Sequence, residues 1–108
     1  MASKSSKAQD QSLTNLCTLF RLLSDKTRLQ IVLLLATGER NVTSLCDELD
    51  LPQPTVSHHL GLLRMNRVIA NKRKGKQVIY TLAGASGKAS GGRIKFSTPP
   101  FGVTVDGY

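Results

Sequence analysis

Gln53-Pro54-Thr55-Val56-Ser57-His58-His59-Leu60-Gly61-Leu62-Leu63-Arg64-Met65 is the stretch whose periodicity decides the fold. Val56, Leu60 and Leu63 recur at helical spacing, so they share one side of a helix and face a core. Pro54, His58 and Gly61 then point the opposite way, with Thr55 and Ser57 on the flanks. His59 leans towards the core side and reads as a packed, hydrogen-bonded histidine. A proline is tolerated in a first helical turn, so the helix can start at Gln53 or Pro54 and run to Met65. The outward residues Gln53, Thr55, Ser57 and His58 carry short or planar donors and acceptors, which suit base edges and phosphates. Gly61 permits close approach of the helix, and Arg64 at its end can reach a phosphate.

Just upstream, Asn41 can cap a short helix with Val42, Leu45, Cys46 and Leu49 on one face. Asp50-Leu51-Pro52 breaks it. Two short helices so joined form a helix-turn-helix, whose second helix enters a major groove. Downstream, 68–73 and 76–82 read as two strands with Val78, Tyr80 and Leu82 facing inward and Lys74-Gly75 turning between them. The hairpin tip Lys72-Arg73-Lys74-Gly75-Lys76 places four cations within five residues. Such a wing lies along the phosphate backbone or in the neighbouring minor groove, adding affinity and register.

Two helices precede this unit. Ser24-Asp25 caps one whose inward stripe is Leu29, Val32, Leu33 and Ala36, ending near Gly38. Ser12 caps the first, where Leu13, Leu16, Cys17, Phe20 and Leu23 repeat at helical spacing while Leu19 and Leu22 widen the apolar surface. A helix apolar on two sides needs two covers, its own domain and a second copy of the chain. Leu13, Leu16, Cys17 and Phe20 are therefore the expected dimer interface. The fold class expected is α+β and mostly helical: a winged helix-turn-helix of about four helices plus a hairpin wing (68–82), with a C-terminal tail able to add strands.

A chain of 108 residues fits one domain. Residues 1–11 read as a flexible arm, 12–83 as the DNA-binding domain, 84–92 as a Gly/Ser/Ala linker, and 93–108 as a tail with strands that could serve dimerisation. The net charge is +8, and its distribution matters more than its size. Residues 1–50 hold six basic and six acidic side chains, whereas 51–108 hold nine basic and one acidic. The same excess would serve a solubilising surface, but its confinement to the half carrying the helix-turn-helix and wing favours a polyanion.

Other chemistries find little support. Cys17 and Cys46 have no paired spacing, so neither a zinc finger nor a disulfide framework applies. Packing is the first expectation for both, with a redox pair as the lesser one, requiring Cα atoms within about 7 Å. His58 and His59 diverge by about 100° on a helix and cannot chelate one ion. No Ser/His/Asp set or phosphate loop is present, so neither an enzyme nor a cofactor is expected. The polar start Met1-Ala2-Ser3-Lys4 is unlike a secretory signal, and Ile31–Ala36 is too short to span a bilayer. A cytoplasmic, nucleoid-associated protein without membrane contact is the expectation.

Three segments in order, 19–29, 54–64 and 72–80, resemble the ArsR/SmtB-type family of bacterial winged-helix repressors, over roughly residues 13–83. The resemblance implies a homodimer on double-stranded DNA at an operator palindrome, released by an effector that the sequence does not name. By position it assigns DNA reading to Gln53, Thr55, Ser57 and His58, and wing contacts to Arg73, Lys74 and Lys76. The chain also departs from the pattern. Arg40-Asn41-Val42-Thr43 stands where metal sensors carry a Cys pair, and the usual C-terminal dimerisation helix with its ligands is replaced by the Gly-rich stretch 84–92. No metal site is therefore expected. Lys26 replaces a usual Pro, Pro52 a frequent Ser cap, and Arg67 a frequent Gly. The alternative function is a winged-helix protein-interaction module without specific operator binding.

Overall fold

The computed structural model describes residues 4–83, 88–90 and 92–107. Its order is α1 (Lys4–Leu23), α2 (Lys26–Ala36), β1 (Arg40–Asn41), α3 (Val42–Leu49), α4 (Gln53–Met65), β2 (Ile69–Lys74), β3 (Gln77–Leu82), β4 (Lys88–Ser90), β5 (Arg93–Thr98) and β6 (Phe101–Asp106). Four helices and the β2–β3 hairpin give the winged helix-turn-helix expected. One antiparallel sheet has the order β1-β3-β2 and a second has β4-β5-β6.

Local signals explain most boundaries. Asp25 caps α2 by accepting from the Arg28 N–H at 3.0 Å, and Asn41 caps α3 by accepting from the Ser44 N–H at 2.8 Å. These bonds satisfy donors that a helix start otherwise leaves orphaned. Asp50 ends α3 in the left-handed region at φ 55°, after which Leu51 donates back to the Cys46 carbonyl. Arg67 is also left-handed, at φ 61°. An L side chain there costs about 1–2 kcal/mol, which gives a physical reason for glycine at such a turn.

The core joins Leu19 and Leu22 of α1, Ile31, Val32 and Leu35 of α2, Leu45 of α3, and Val56, Leu60 and Leu63 of α4. Val68, Ile69, Ile94 and Phe96 complete it. The last two come from the tail, whose β5 alternates with Ile94 and Phe96 inward.

Several sequence expectations need correction. The first helix starts at Lys4 rather than at Ser12, so residues 4–11 of the supposed arm are helical; 1–3 lie outside the described residues. That segment holds no Gly or Pro, and an existing helix propagates through such residues easily. In α2 the most buried set is Ile31, Val32 and Leu35, while Leu33 and Ala36 are only partly buried. The run Leu29–Ala36 is apolar nearly all round, so its period alone leaves the phase undefined. In β3, Tyr80 and Leu82 pack against the core as expected, but Ile79 is more buried than Val78. It sits opposite Asn41 and Lys72 in the middle strand, where neighbours on both sides cover it. The hairpin loop is Gly75-Lys76 rather than Lys74-Gly75, since Lys74 pairs with Gln77. Within the supposed linker 84–92, residues 88–90 form β4 on β5; 84–87 and 91 lie outside the described residues.

Candidate nucleic-acid interface

Helix α4 presents two unlike faces. Val56, Leu60 and Leu63 are almost fully buried, whereas Gln53, Ser57, His58 and Arg64 are exposed and Thr55 is half-buried. The sequence-derived orientation of this helix therefore holds. Its N-terminus carries no side-chain cap and no acid in the first turn. No carboxylate of the first turn competes for the positive end of the helix dipole, an environment that favours an anion. A Cβ built at Gly61 meets nothing within 4 Å, so the chain's own packing does not demand glycine there.

Lys72, Arg73, Lys74 and Lys76 are all exposed at the hairpin end. They are not equivalent. Lys74 Nζ lies 2.9 Å from Glu39 Oε1, and this contact holds the Glu39 carboxyl below its usual range. Lys74 thus arrives with a partner, while Arg73, Lys72 and Lys76 make no ion pair among the described residues. Sequence counting cannot see this, because Glu39 lies thirty-five positions away. The wing is also tied close to its tip, where Asn41 Nδ2 donates to Gln77 Oε1 at 3.3 Å beside the Lys74–Gln77 pair. Asn41 so links the α3 cap to the wing.

Arg40 occupies the region where a metal-binding cysteine pair could have stood. Its Nε donates to Glu48 at 2.8 Å, and its other nitrogens reach the Gly38 carbonyl and the Thr37 hydroxyl. The side chain staples the end of α2 to α3. Among the described residues no group of three His, Cys, Asp or Glu side chains is close enough to hold a metal ion. Cys17 is exposed on α1 and Cys46 is partly buried on α3; both are free thiols. No helix among the described residues is long and apolar enough to cross a membrane.

His59 packs as its helical phase suggests. Its Nδ1 lies 3.3 Å from an Arg28 guanidinium nitrogen, and the Arg28 Nε donates to the Leu22 carbonyl at 2.8 Å. Arginine only donates, so Nδ1 accepts and the ring proton sits on Nε2. One guanidinium thereby links α1, α2 and α4. Burial is the main cause that lowers the His59 pKa from its usual 6.5, with Arg28 and His58 adding to it and Asp25 opposing. The unfolded chain then binds the proton more readily, so stability falls as pH drops below about 6.5. We expect the melting temperature to decrease between about pH 7.5 and about pH 5.5. The decrease should be smaller in His59→Gln, where the side chain can still accept from Arg28. Equal decreases in both proteins would refute this role.

On the α1 side, Leu13 and Phe20 are half exposed and Cys17 is exposed, while Leu16 is half-buried. The apolar residues expected at a dimer interface thus include two of the three large hydrophobics that are exposed among the described residues, the third being Met65 at the end of α4.

Comparisons with known proteins agree with this architecture. The profile of a family described as "Bacterial regulatory protein, arsR family" matches residues 25–70. The arsenical resistance operon repressor of Escherichia coli K12 is 48% identical over 66 residues, covering 60% of this chain and 56% of that protein. The transcriptional repressor SdpR of Bacillus subtilis is 35% identical over 63 residues, covering 58% of this chain and 70% of that one. Among solved structures, a Mycobacterium bovis fragment described as a homodimeric winged helix-turn-helix DNA-binding domain superposes with a TM-score of 0.67 at 29% identity, over 77% of this chain and 74% of that chain. The match spans about half the length of the first curated relatives.

Proposed function

The chain belongs to the ArsR family of bacterial regulatory proteins, and from that premise we propose that it is a homodimeric transcriptional repressor that binds double-stranded DNA at an operator palindrome. One observation carries the reading most directly. The exposed polar row of α4 and the basic tip of the wing follow one another in the chain, on a helix whose other face is locked into the core.

In this reading α4 lies in the major groove, with Gln53, Thr55, Ser57 and His58 reading base edges and Arg64 on the backbone. Arg73, Lys72 and Lys76 hold phosphates, with Lys74 contributing less because Glu39 already neutralises it. Leu13, Leu16, Cys17 and Phe20 form the dimer contact, and two copies set the spacing between half-sites. The unit spanning 12–83 does the binding, and the tail 93–108 supports dimerisation from behind by bracing α1. No catalysis is involved, and a cytoplasmic, nucleoid-associated place in the cell goes with the role. Repression follows from occupancy, since a bound dimer blocks polymerase.

Two experiments test it. Ser57→Ala or His58→Ala should reduce discrimination between operator and scrambled duplex by about 1–3 kcal/mol in competition binding. Arg73→Ala should weaken both duplexes alike. If the α4 variants lowered both affinities equally, the base-reading assignment would fail. Phe20→Asp places a charge on the apolar stripe, and sedimentation should then report single chains where the parent protein forms pairs. A variant that keeps the parent mass would place the interface elsewhere.

A further inference from the structure

A cavity of about 420 Å³ opens between α1, the turn that joins α4 to β2, and the end of β5 with the Pro99 that follows it. Its volume falls in the range of small-molecule sites. Leu19, Leu22, Val68 and Phe96 contribute buried apolar surface to it. No Asp or Glu lines it, and its one charged residue is Arg67. The Arg67 guanidinium makes no ion pair among the described residues, and the backbone holds this long side chain at φ 61°, where glycine would be easier. Thr98 also lines the cavity, and its hydroxyl oxygen is buried without a hydrogen-bond partner among the described residues. Buried hydroxyls are normally paired, so a missing partner points to an occupant.

We propose that this cavity is an effector site for a small organic carboxylate with an apolar body, its anionic end held by Arg67 and Thr98. The inference rests on the DNA-binding reading only for its consequence. Asn66 caps α4 by donating its backbone N–H and its side-chain amide to the Leu62 carbonyl, and Val68 donates back to Leu63. An occupant touching Asn66, Arg67 and Val68 therefore bears on the joint between the recognition helix and the wing. It also leaves the dimer free. At about 100° per residue, Asn15, Thr18 and Leu22 of the cavity lie on the side of α1 roughly opposite Leu13, Cys17 and Phe20. The tail supplies Phe96 and Thr98, so the segment that departs most from the family pattern builds the site.

The test titrates the full chain with benzoate, hexanoate and the neutral benzamide, followed by amide resonances without DNA. Benzoate or hexanoate should give saturable shifts at α1, at 66–68 and at 96–98. Arg67→Gly suits the backbone at that turn and should weaken the acid by about tenfold while leaving benzamide unchanged. Thr98→Val keeps the shape, removes the hydroxyl, and should weaken the acid several-fold. No saturation with either acid up to about 10 mM, or an affinity unaltered in Arg67→Gly, overturns the site. In a separate arm, saturating acid should change duplex affinity at least several-fold. An unchanged affinity overturns its regulatory role. A chain that takes the acid but never binds duplex would instead overturn the DNA reading and leave the site standing.

Discussion

Replacing Phe96 by alanine is expected to cost about 3–5 kcal/mol of folding stability, measured by chemical denaturation. Phe96 is 1% exposed and Ile94 fully buried, and both share one core with Leu19, Leu22 and Val68. Truncation removes that burial and leaves a void beside α1 which the neighbouring side chains cannot fill. A domain of this size is stable by only about 5–15 kcal/mol, so the loss would be a large fraction of the total. The Arg93–Asp106 pair on the same sheet serves as a control. It is 2.6 Å long but more than half exposed on each side, so Asp106→Asn should change stability by no more than about 1 kcal/mol. A Phe96→Ala cost below that level would mean that the tail is an appendage rather than part of the core.

The second large effect concerns salt. Each protomer offers Arg64, Lys72, Arg73 and Lys76 at the proposed interface, with Lys74 held by Glu39. If a dimer neutralises about six phosphates, log affinity for duplex falls against log salt with a slope of about −5. Between about 50 and about 200 mM salt, affinity should then drop on the order of a thousandfold. Fluorescence anisotropy with one duplex across that range is sufficient. Arg73→Ala in both protomers should reduce the slope by roughly two, whereas Lys74→Ala should reduce it less. A slope near zero would favour the alternative, a winged-helix module that binds a protein partner.

Much of the candidate interface was legible in the linear sequence. Val56, Leu60 and Leu63 set the phase of α4 because the helix carries one clean apolar stripe, and its outward residues followed. Asp25 and Asn41 marked helix starts because capping acts over three residues. The α2 phase was not legible, because 29–36 offers apolar residues on nearly every side and the choice among them depends on what packs nearby. The start of α1 was missed for a related reason: exposed polar residues without Gly or Pro permit a helix without announcing one.

What the amino-acid sequence determined by itself was therefore local or periodic: the helix-turn-helix, the orientation of its second helix, the hairpin, and the placement of the charge excess after residue 50. These depend on neighbours within about one or two helical turns. The tertiary structure decided everything that joins distant residues. It paired Lys74 with Glu39 and so divided the wing cations into free and occupied. It made Arg28 the bridge from Leu22 to His59. It also brought Ile94 and Phe96 into the core beside α1 and opened a cavity at that junction. Such contacts depend on chain closure over tens of residues, and no pattern read along the backbone records where those ends meet.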